Sequence, residues 1–247
     1  MLTISQFLQP IGNEVKLIPI GDIHLGSPQC NTELLANTIA YIRQSHAYVI
    51  GMGDYMEAAT QASPGRSAFE QQLSLDCQYR LCLEFLRPIR SRILGLHSGN
   101  HEERLRNFAD FDLVAQLCAD LDCRNLGYSA LQVLHVGEQS YRVHSWHGSS
   151  GAQFQHTKLA AAAKAKQVSD ADIYLMGHVH EIGATVQRRF SVDVDGNRID
   201  RKVVVGITGS FMDYDGGYAD MKGLIPGKPG VLKLKLYSDR WDIHVSE

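Results

Sequence analysis

Short apolar segments of this 247-residue chain repeatedly end in the same way, with a glycine-containing turn that carries Asp, Asn or His. Each segment is of strand length, and most are rich in β-branched or aromatic residues, which is typical of buried strands. Ligands of open α/β sheets bind outside the carboxyl ends of the strands, so we expect these polar residues to meet at one site. The segments are Val15–Ile20, Ala47–Ile50, Ile93–His97, Tyr141–Trp146 and Ile173–Met176.

Helical periodicity separates these strands. The apolar spacing predicts helices at Thr32–Ser45, Phe69–Arg87, Phe111–Leu121 and Gln155–Val168. After His180 the pattern changes to strands joined by turns, at Thr185–Phe190, Lys202–Thr208 and Val231–Tyr237. Alternating β and α elements followed by a mostly β region place the chain in the α/β class.

Composition excludes several other classes of protein. Hydrophobic residues make up 44% and charged residues 21%, as in ordinary globular proteins, and without repeats or linkers we expect a single domain over residues 1–247. No apolar stretch reaches the roughly 18 residues that span a bilayer, and the first residues lack a secretory pattern. Five cysteines without a Cys-x-x-Cys motif are typical of reduced thiols. We therefore expect a cytoplasmic protein without a membrane partner.

The net charge of −3 is unlike that of a strongly basic nucleic-acid binder, although a local patch could still bind DNA. The oligomeric state is open.

The polar residues that follow the strands form a candidate metal-binding set. The spacing of Asp22 and His24 is repeated by His178 and His180, and on an extended strand residues two apart share a face. Taken singly, such residues are more often turn residues, helix caps or structural hydrogen bonders. Their repetition at strand ends favours a shared site. The set is Asp22, His24, Asp54, Asn100, His101, His147, His178 and His180.

Mixed carboxylate, amide and imidazole ligands suit manganese, iron, zinc or nickel, and they resemble neither a thiolate zinc site nor an all-oxygen calcium site. Seven or eight ligands are too many for one ion. They suit two ions about 3.5–4 Å apart, bridged by a carboxylate and holding a hydroxide between them. Such a site would perform an in-line displacement at phosphorus.

Together these motifs resemble the signature of the calcineurin-like metallophosphoesterases. The matching blocks, in order along the chain, are Asp22-x-His24, Gly53-Asp54, Gly99-Asn100-His101-Glu102, His147-Gly148 and Gly177-His178-x-His180. The resemblance implies a four-layer α/β/β/α sandwich of two mixed sheets flanked by helices, with the site at the strand ends.

The resemblance also implies roles for the residues. Asp22, His24 and His180 would hold one metal, Asn100, His147 and His178 the other, and Asp54 would bridge them. His101 would be the general acid that protonates the leaving oxygen. His144 is an alternative to His147, although the strand followed by His-Gly favours His147.

The predicted function is therefore hydrolysis of phosphodiesters by a metal-bridging hydroxide, with manganese as the first choice of metal. Arg66 and Arg104 are candidate substrate-binding residues, as is Arg106, and the substrate could be a nucleotide or DNA. The block Gly53-Asp54-Tyr55-Met56-Glu57 lacks the later Asp-Arg that is typical of protein serine/threonine phosphatases. A phosphomonoesterase, a nuclease of repair or phage replication, and a non-catalytic scaffold on the same fold are the alternatives.

Overall fold

Two mixed β-sheets form the middle of the molecule in the computed structural model, which describes residues 1–61, 63 and 67–247. With strands numbered in chain order, the seven-stranded sheet has the order β1 (Leu2–Leu8), β6 (Ser129–Val136), β7 (Gln139–Trp146), β8 (Ile173–Met176), β10 (Arg198–Ser210) and β11 (Gly230–Val231), and β9 (Ile182–Val192) pairs with β10. The six-stranded sheet has the order β13 (Ile243–Ser246), β12 (Lys233–Tyr237), β2 (Glu14–Ile20), β3 (Tyr48–Gly51), β4 (Ile93–His97) and β5 (Asn125–Gly127).

Helices cover the outer faces of both sheets. The six-stranded sheet packs against α1 (Thr32–Ser45), α3 (Leu75–Leu86) and α5 (Leu113–Leu121), and the seven-stranded sheet against α6 (Gln155–Ala163). The remaining helices are α2 (Ser67–Glu70), α4 (Asn100–Ala109) and α7 (Tyr218–Met221), with 3₁₀ turns at Arg87–Arg92 and Lys164–Gln167.

Three layers of apolar side chains separate these four layers of backbone. Along β2, Leu17 enters the core between the sheets, whereas Ile18 and Ile20 enter the core under α1. Along β8, Leu175 faces the other sheet and Tyr174 faces α6. Strands buried on both faces need apolar residues at successive positions, which explains the near-continuous apolar segments of the sequence. The predicted four-layer sandwich is confirmed.

Capping residues shorten two predicted helices. The helix predicted from Phe69 begins at Leu75, because the Ser74 hydroxyl accepts a hydrogen bond from the Cys77 N–H at 3.3 Å. The helix predicted from Phe111 begins at Leu113, because the Asp112 carboxylate accepts one from the Ala115 N–H at 2.9 Å. The strand predicted at Val231–Tyr237 is divided between the two sheets, as β11 and β12.

Among the helices of the described residues, none has the length and apolar character needed to cross a membrane. The five cysteines are free thiols.

Candidate metal centre

The two sheets deliver the predicted ligands to one common edge. In the six-stranded sheet, β2 leads to Asp22 and β3 leads to Asp54. In the seven-stranded sheet, β7 leads to His147 and β8 leads to His178. Backbone contacts join the loops, since the Asp22 N–H donates to the Gly53 carbonyl at 2.9 Å and the His178 N–H donates to Asp22 Oδ2 at 2.8 Å. The site therefore lies across the gap between the sheets.

The first ligand group consists of Asp22, His24 and His180, whose ligand atoms lie within 4.8 Å of one another. His24 Nε2 is 3.0 Å from His180 Nε2, and His180 Nε2 is 3.4 Å from Asp22 Oδ1. Asp22 is fully buried, and its Oδ1 has no hydrogen-bond partner among the described residues. A buried carboxylate oxygen beside two imidazole nitrogens is a suitable ligand for a divalent cation.

The second ligand group consists of Asp54, His147 and His178, and it is joined by Asn100. His147 Nε2 is 3.3 Å from Asp54 Oδ2 and 3.0 Å from Asn100 Oδ1, which is 2.8 Å from His178 Nδ1. Asp54 Oδ2 also lies 3.8 Å from His24 Nε2 of the first group. The Asp54 carboxylate is thus positioned between the two groups.

The donor atoms of the second group fit a cation. His147 Nδ1 donates to the Met52 carbonyl at 2.8 Å, so Nε2 of the neutral ring is a bare acceptor. It faces Asn100 Oδ1 and Asp54 Oδ2, which are themselves acceptors, while the Asn100 amide nitrogen faces the guanidinium of Arg104 at 3.1 Å. His147 Nε2, Asn100 Oδ1 and Asp54 Oδ2 therefore face one another as three acceptors. In this orientation of the Asn100 amide, only a positive charge between them can interact favourably with all three.

A proton can supply that positive charge when no metal is bound. Burial lowers the pKa of His147, but Asp54 and Asp22 outweigh burial and raise it to about 10. Burial raises the pKa of Asp54, yet the adjacent imidazoles, first among them His147, hold it well below its usual range. Metal binding would displace the proton from His147, so metal affinity should depend on pH.

His101 lies beside these ligands, and a hydrogen bond from its Nδ1 fixes the orientation of the ring. His101 Nδ1 donates to the Glu57 carbonyl at 2.6 Å, which leaves Nε2 directed to the site, 3.8 Å from Asp54 Oδ2. The His101 backbone N–H donates to Asp54 Oδ1 at 2.9 Å. Burial, assisted by the neighbouring His24, lowers the pKa of His101 to about 4 in the ion-free protein.

Glu57 is a site residue that the sequence reasoning missed. Its carboxylate accepts a hydrogen bond from His24 Nδ1 at 3.2 Å, which leaves His24 Nε2 free to bind a cation, while its backbone carbonyl holds His101. Glu57 follows Asp54 by three residues in the predicted loop, and that proximity is the signal that could have identified it.

Glu102 fastens the loop after β3 to the start of α4. Its carboxylate accepts hydrogen bonds from the backbone N–H groups of Asp54, Tyr55 and Gly99, at 2.9, 2.8 and 2.9 Å. Position 99 must be glycine, because a Cβ there would overlap Asp54 Oδ1. In the sequence Glu102 belonged to the Gly99-Asn100-His101-Glu102 block but had no role of its own. The structure places it as the third residue of α4, where glutamate often completes a capping box.

The backbone brings the ligands together in a way that differs from our expectation. The prediction that Asp22 and His24 share the face of an extended strand is wrong, because both lie beyond β2 in the left-handed region, with φ of 50° and 53°. Asp54, His178 and His180 are also left-handed, with φ of 54°, 70° and 49°. Tight turns, rather than the pleat of a strand, direct these side chains to one place.

The candidate substrate-binding arginines differ in their placement. Arg104 Nη1 is 3.4 Å from His101 Nδ1, so this guanidinium borders the site. Arg106 instead pairs with Asp112 at 3.6 Å. Arg66 lies outside the described residues. His144, the alternative to His147, contacts Ser169 Oγ at 2.7 Å and is not part of either ligand group.

Comparisons with known proteins give low similarity. No family model and no curated protein matches the chain. Among solved structures, it is similar to an uncharacterised predicted phosphoesterase from Streptococcus pneumoniae, with 12% identity, a TM-score of 0.39 and coverage of 94% of this chain and 98% of that one. It is also similar to a Thermotoga maritima protein solved by NMR, with 15% identity, a TM-score of 0.35 and the same coverage. Similarity at this level does not determine a function, which we infer from the geometry of the site.

Proposed function

We propose that the chain is a metal-dependent phosphoesterase that hydrolyses phosphodiesters at a centre for two divalent ions. The observation that carries this proposal is the position of Asp54 Oδ2, which is 3.3 Å from His147 Nε2 of one ligand group and 3.8 Å from His24 Nε2 of the other. A carboxylate between two sets of ligands is what a pair of bridged ions requires.

The residues divide into two sites with a shared ligand. Asp22, His24 and His180 would hold one ion, and Asn100, His147 and His178 the other, with Asp54 common to both. The mixed oxygen and nitrogen donors favour manganese as the first choice, with iron, zinc or nickel as the alternatives. When bound, the ions would supply Lewis-acid stabilisation of the charge on a phosphoryl group and a nucleophile at neutral pH.

His101 is the proposed general acid. The hydrogen bond from its Nδ1 to the Glu57 carbonyl fixes the ring, so Nε2 is the atom that can deliver a proton to the leaving oxygen. This placement favours a catalytic protein over a non-catalytic scaffold on the same fold. A scaffold would not require an imidazole with a fixed orientation beside the ligand groups.

Arg104 is the proposed contact for the substrate phosphate. It borders both His101 and Asn100, and a guanidinium there could bind a phosphate oxygen that the ligands leave free. Arg66 keeps the role predicted for it from the sequence.

The test crosses metals with substrates. Metal-stripped protein is reconstituted with manganese, iron, zinc or nickel and assayed on an aryl phosphodiester and an aryl phosphomonoester, with elemental analysis of each preparation. We expect two metal equivalents and faster diester turnover. Asp54→Ala should lose both ions, whereas Asp195→Ala, in the exposed β9–β10 turn, should lose neither.

Two full equivalents of metal in Asp54→Ala would disprove the shared ligand. Faster monoester turnover would replace the phosphodiesterase with a phosphomonoesterase. No turnover of either ester by protein that holds two ions would favour the scaffold.

A further inference from the structure

An exposed aromatic residue lies beside a candidate ligand, His147, in the register of neighbouring strands. Tyr128 is 60% exposed, and the pairing of Ser129 with Trp146 places it next to His147. Its hydroxyl donates to Glu103 Oε2 at 2.8 Å, so the ring is held in place while much of it remains open to solvent.

A second exposed aromatic residue adjoins the segment that follows another candidate ligand, His180. Phe154 is 57% exposed, and it immediately precedes Gln155, whose side chain donates to the Ile182 carbonyl at 3.0 Å, two residues beyond His180. The Phe154 ring stacks on His156 with a centroid distance of 5.7 Å and an interplanar angle of 18°. His156 thus covers one face of the Phe154 ring, and the opposite face is available for stacking with another ring.

From these positions we propose that the substrate is single-stranded nucleic acid, with bases stacked on Tyr128 and Phe154 on either side of the scissile phosphate. The inference rests on the proposed function and specifies its substrate class. A diester within a strand carries one nucleoside on each side of the phosphorus atom, and each aromatic ring can stack on a base of any sequence. Arg104, beside His101, supplies a cation for the backbone between them.

Single strands fit these features better than a duplex. The bases of a duplex are already paired and stacked within it, so they cannot lie on protein rings without being unpaired. The chain has a net charge of −3, so binding that depends on a duplex backbone alone would have little electrostatic support. Stacking should therefore dominate the affinity, and the dependence of affinity on salt should be shallow.

The binding test uses a fluorescently labelled oligothymidylate, measured by anisotropy in EDTA so that no cleavage occurs. Tyr128→Ala and Phe154→Ala should each weaken binding roughly 5- to 150-fold. Tyr128→Phe should bind like the wild type, because it keeps the ring and loses only the bond to Glu103. Phe7→Ala is the matched control: Phe7 is 79% exposed and stacks on His135, at the end of the sheet opposite the centre, so this variant should not change binding.

A turnover test separates this inference from the proposed function. With manganese, the alanine variants should lose far more activity on the oligonucleotide than on the aryl phosphodiester. If the wild type hydrolyses the aryl diester but the alanine variants bind the oligonucleotide as tightly as the wild type does, the inference is wrong and the proposed function stands. Duplex binding as tight as single-strand binding would also overturn it. If the wild type hydrolyses no diester with any of the metals, the proposed function fails, and the anisotropy series decides by itself whether the two rings bind single strands.

Discussion

Replacing Ser145 with alanine should destabilise the fold by roughly 2 to 6 kcal/mol, because its hydroxyl is the centre of a buried bridge between the two sheets. Ser145 Oγ of β7 lies 2.8 Å from His97 Nε2 of β4 and 3.0 Å from the Gln132 side-chain nitrogen of β6. His97 Nδ1 donates to the Gly127 carbonyl at 3.0 Å, so the Ser145 hydroxyl donates to Nε2 and accepts from Gln132. All three side chains are fully buried.

The magnitude follows from the groups that lose their partner. Alanine keeps the Cβ, so little volume is lost, but His97 Nε2 and the Gln132 side-chain nitrogen are left buried and unpaired. Each such group costs about 1–3 kcal/mol. Gln132 Oε1 already lacks a partner among the described residues, so the side chain would become wholly unsatisfied.

Chemical denaturation at neutral pH measures this loss, and Ser5→Ala is the matched control. Ser5 Oγ also contacts a histidine, at 2.7 Å from His135 Nε2, but that pair is exposed, so its loss should cost less than about 1 kcal/mol. Adding Gln132→Leu to Ser145→Ala should recover part of the loss, because it removes the orphaned amide. Equal destabilisation by Ser145→Ala and Ser5→Ala would refute the argument.

Three further predictions concern the site and its support. His101→Ala should retain the metal but lose roughly 10²–10⁴-fold in turnover of a diester with a poor leaving group, and an unchanged rate would remove His101 as the acid. Glu57→Gln should weaken metal binding by the His24 group roughly 10- to 100-fold in titration calorimetry, whereas Glu138→Gln, in the exposed β6–β7 turn, should bind like the wild type. Burial lowers the pKa of His97 from 6.5 to about 4. As the pH falls, His97 is therefore protonated in the unfolded chain before it is protonated in the folded protein. The stability that neutral His97 contributes is therefore complete above pH 6.5 and falls by about 3 kcal/mol towards pH 4, and this fall should be missing from the unfolding curves of His97→Asn.

The sequence predicted the central strands and the meeting of the ligands, because both follow from apolar segments that end at glycine and a polar residue. It did not reveal β1 or β6. Thr3, Ser5 and Phe7 of β1 are exposed, so this edge strand lacks the continuous apolar pattern of the buried strands. In β6 the buried residues alternate with half-buried ones, and Gln132 interrupts the apolar series. Helix α4 was missed because Leu105 is its one buried aliphatic residue.

The contacts that support the site are the part that local patterns could not predict. Glu57 reaches His24 across 33 positions of the chain, and Ser145 reaches His97 across 48. The first contact depends on how the loops after the neighbouring strands β2 and β3 lie against each other, and the second depends on how the two sheets are placed relative to each other. That placement is set by packing in the core between them, which a reading of local patterns does not contain.

The left-handed backbone at Asp22, His24, Asp54, His178 and His180 connects the fold to the proposed function. Asp and His tolerate this conformation better than most residues, but it still costs more than it would for glycine, which occupies it at turns such as Gly12, Gly137 and Gly196. Glycine at any of these five positions would remove the backbone strain, but it would also remove a carboxylate or an imidazole. Each strained position offers a side chain that can bind a cation, and the buried Asp22 Oδ1 has no partner among the described residues. A fold that needed only tight turns at the sheet edge would have no reason to keep these side chains there. Five of the nine left-handed non-glycine residues in the described part of the chain lie at this one edge, and this concentration supports a site that binds metal.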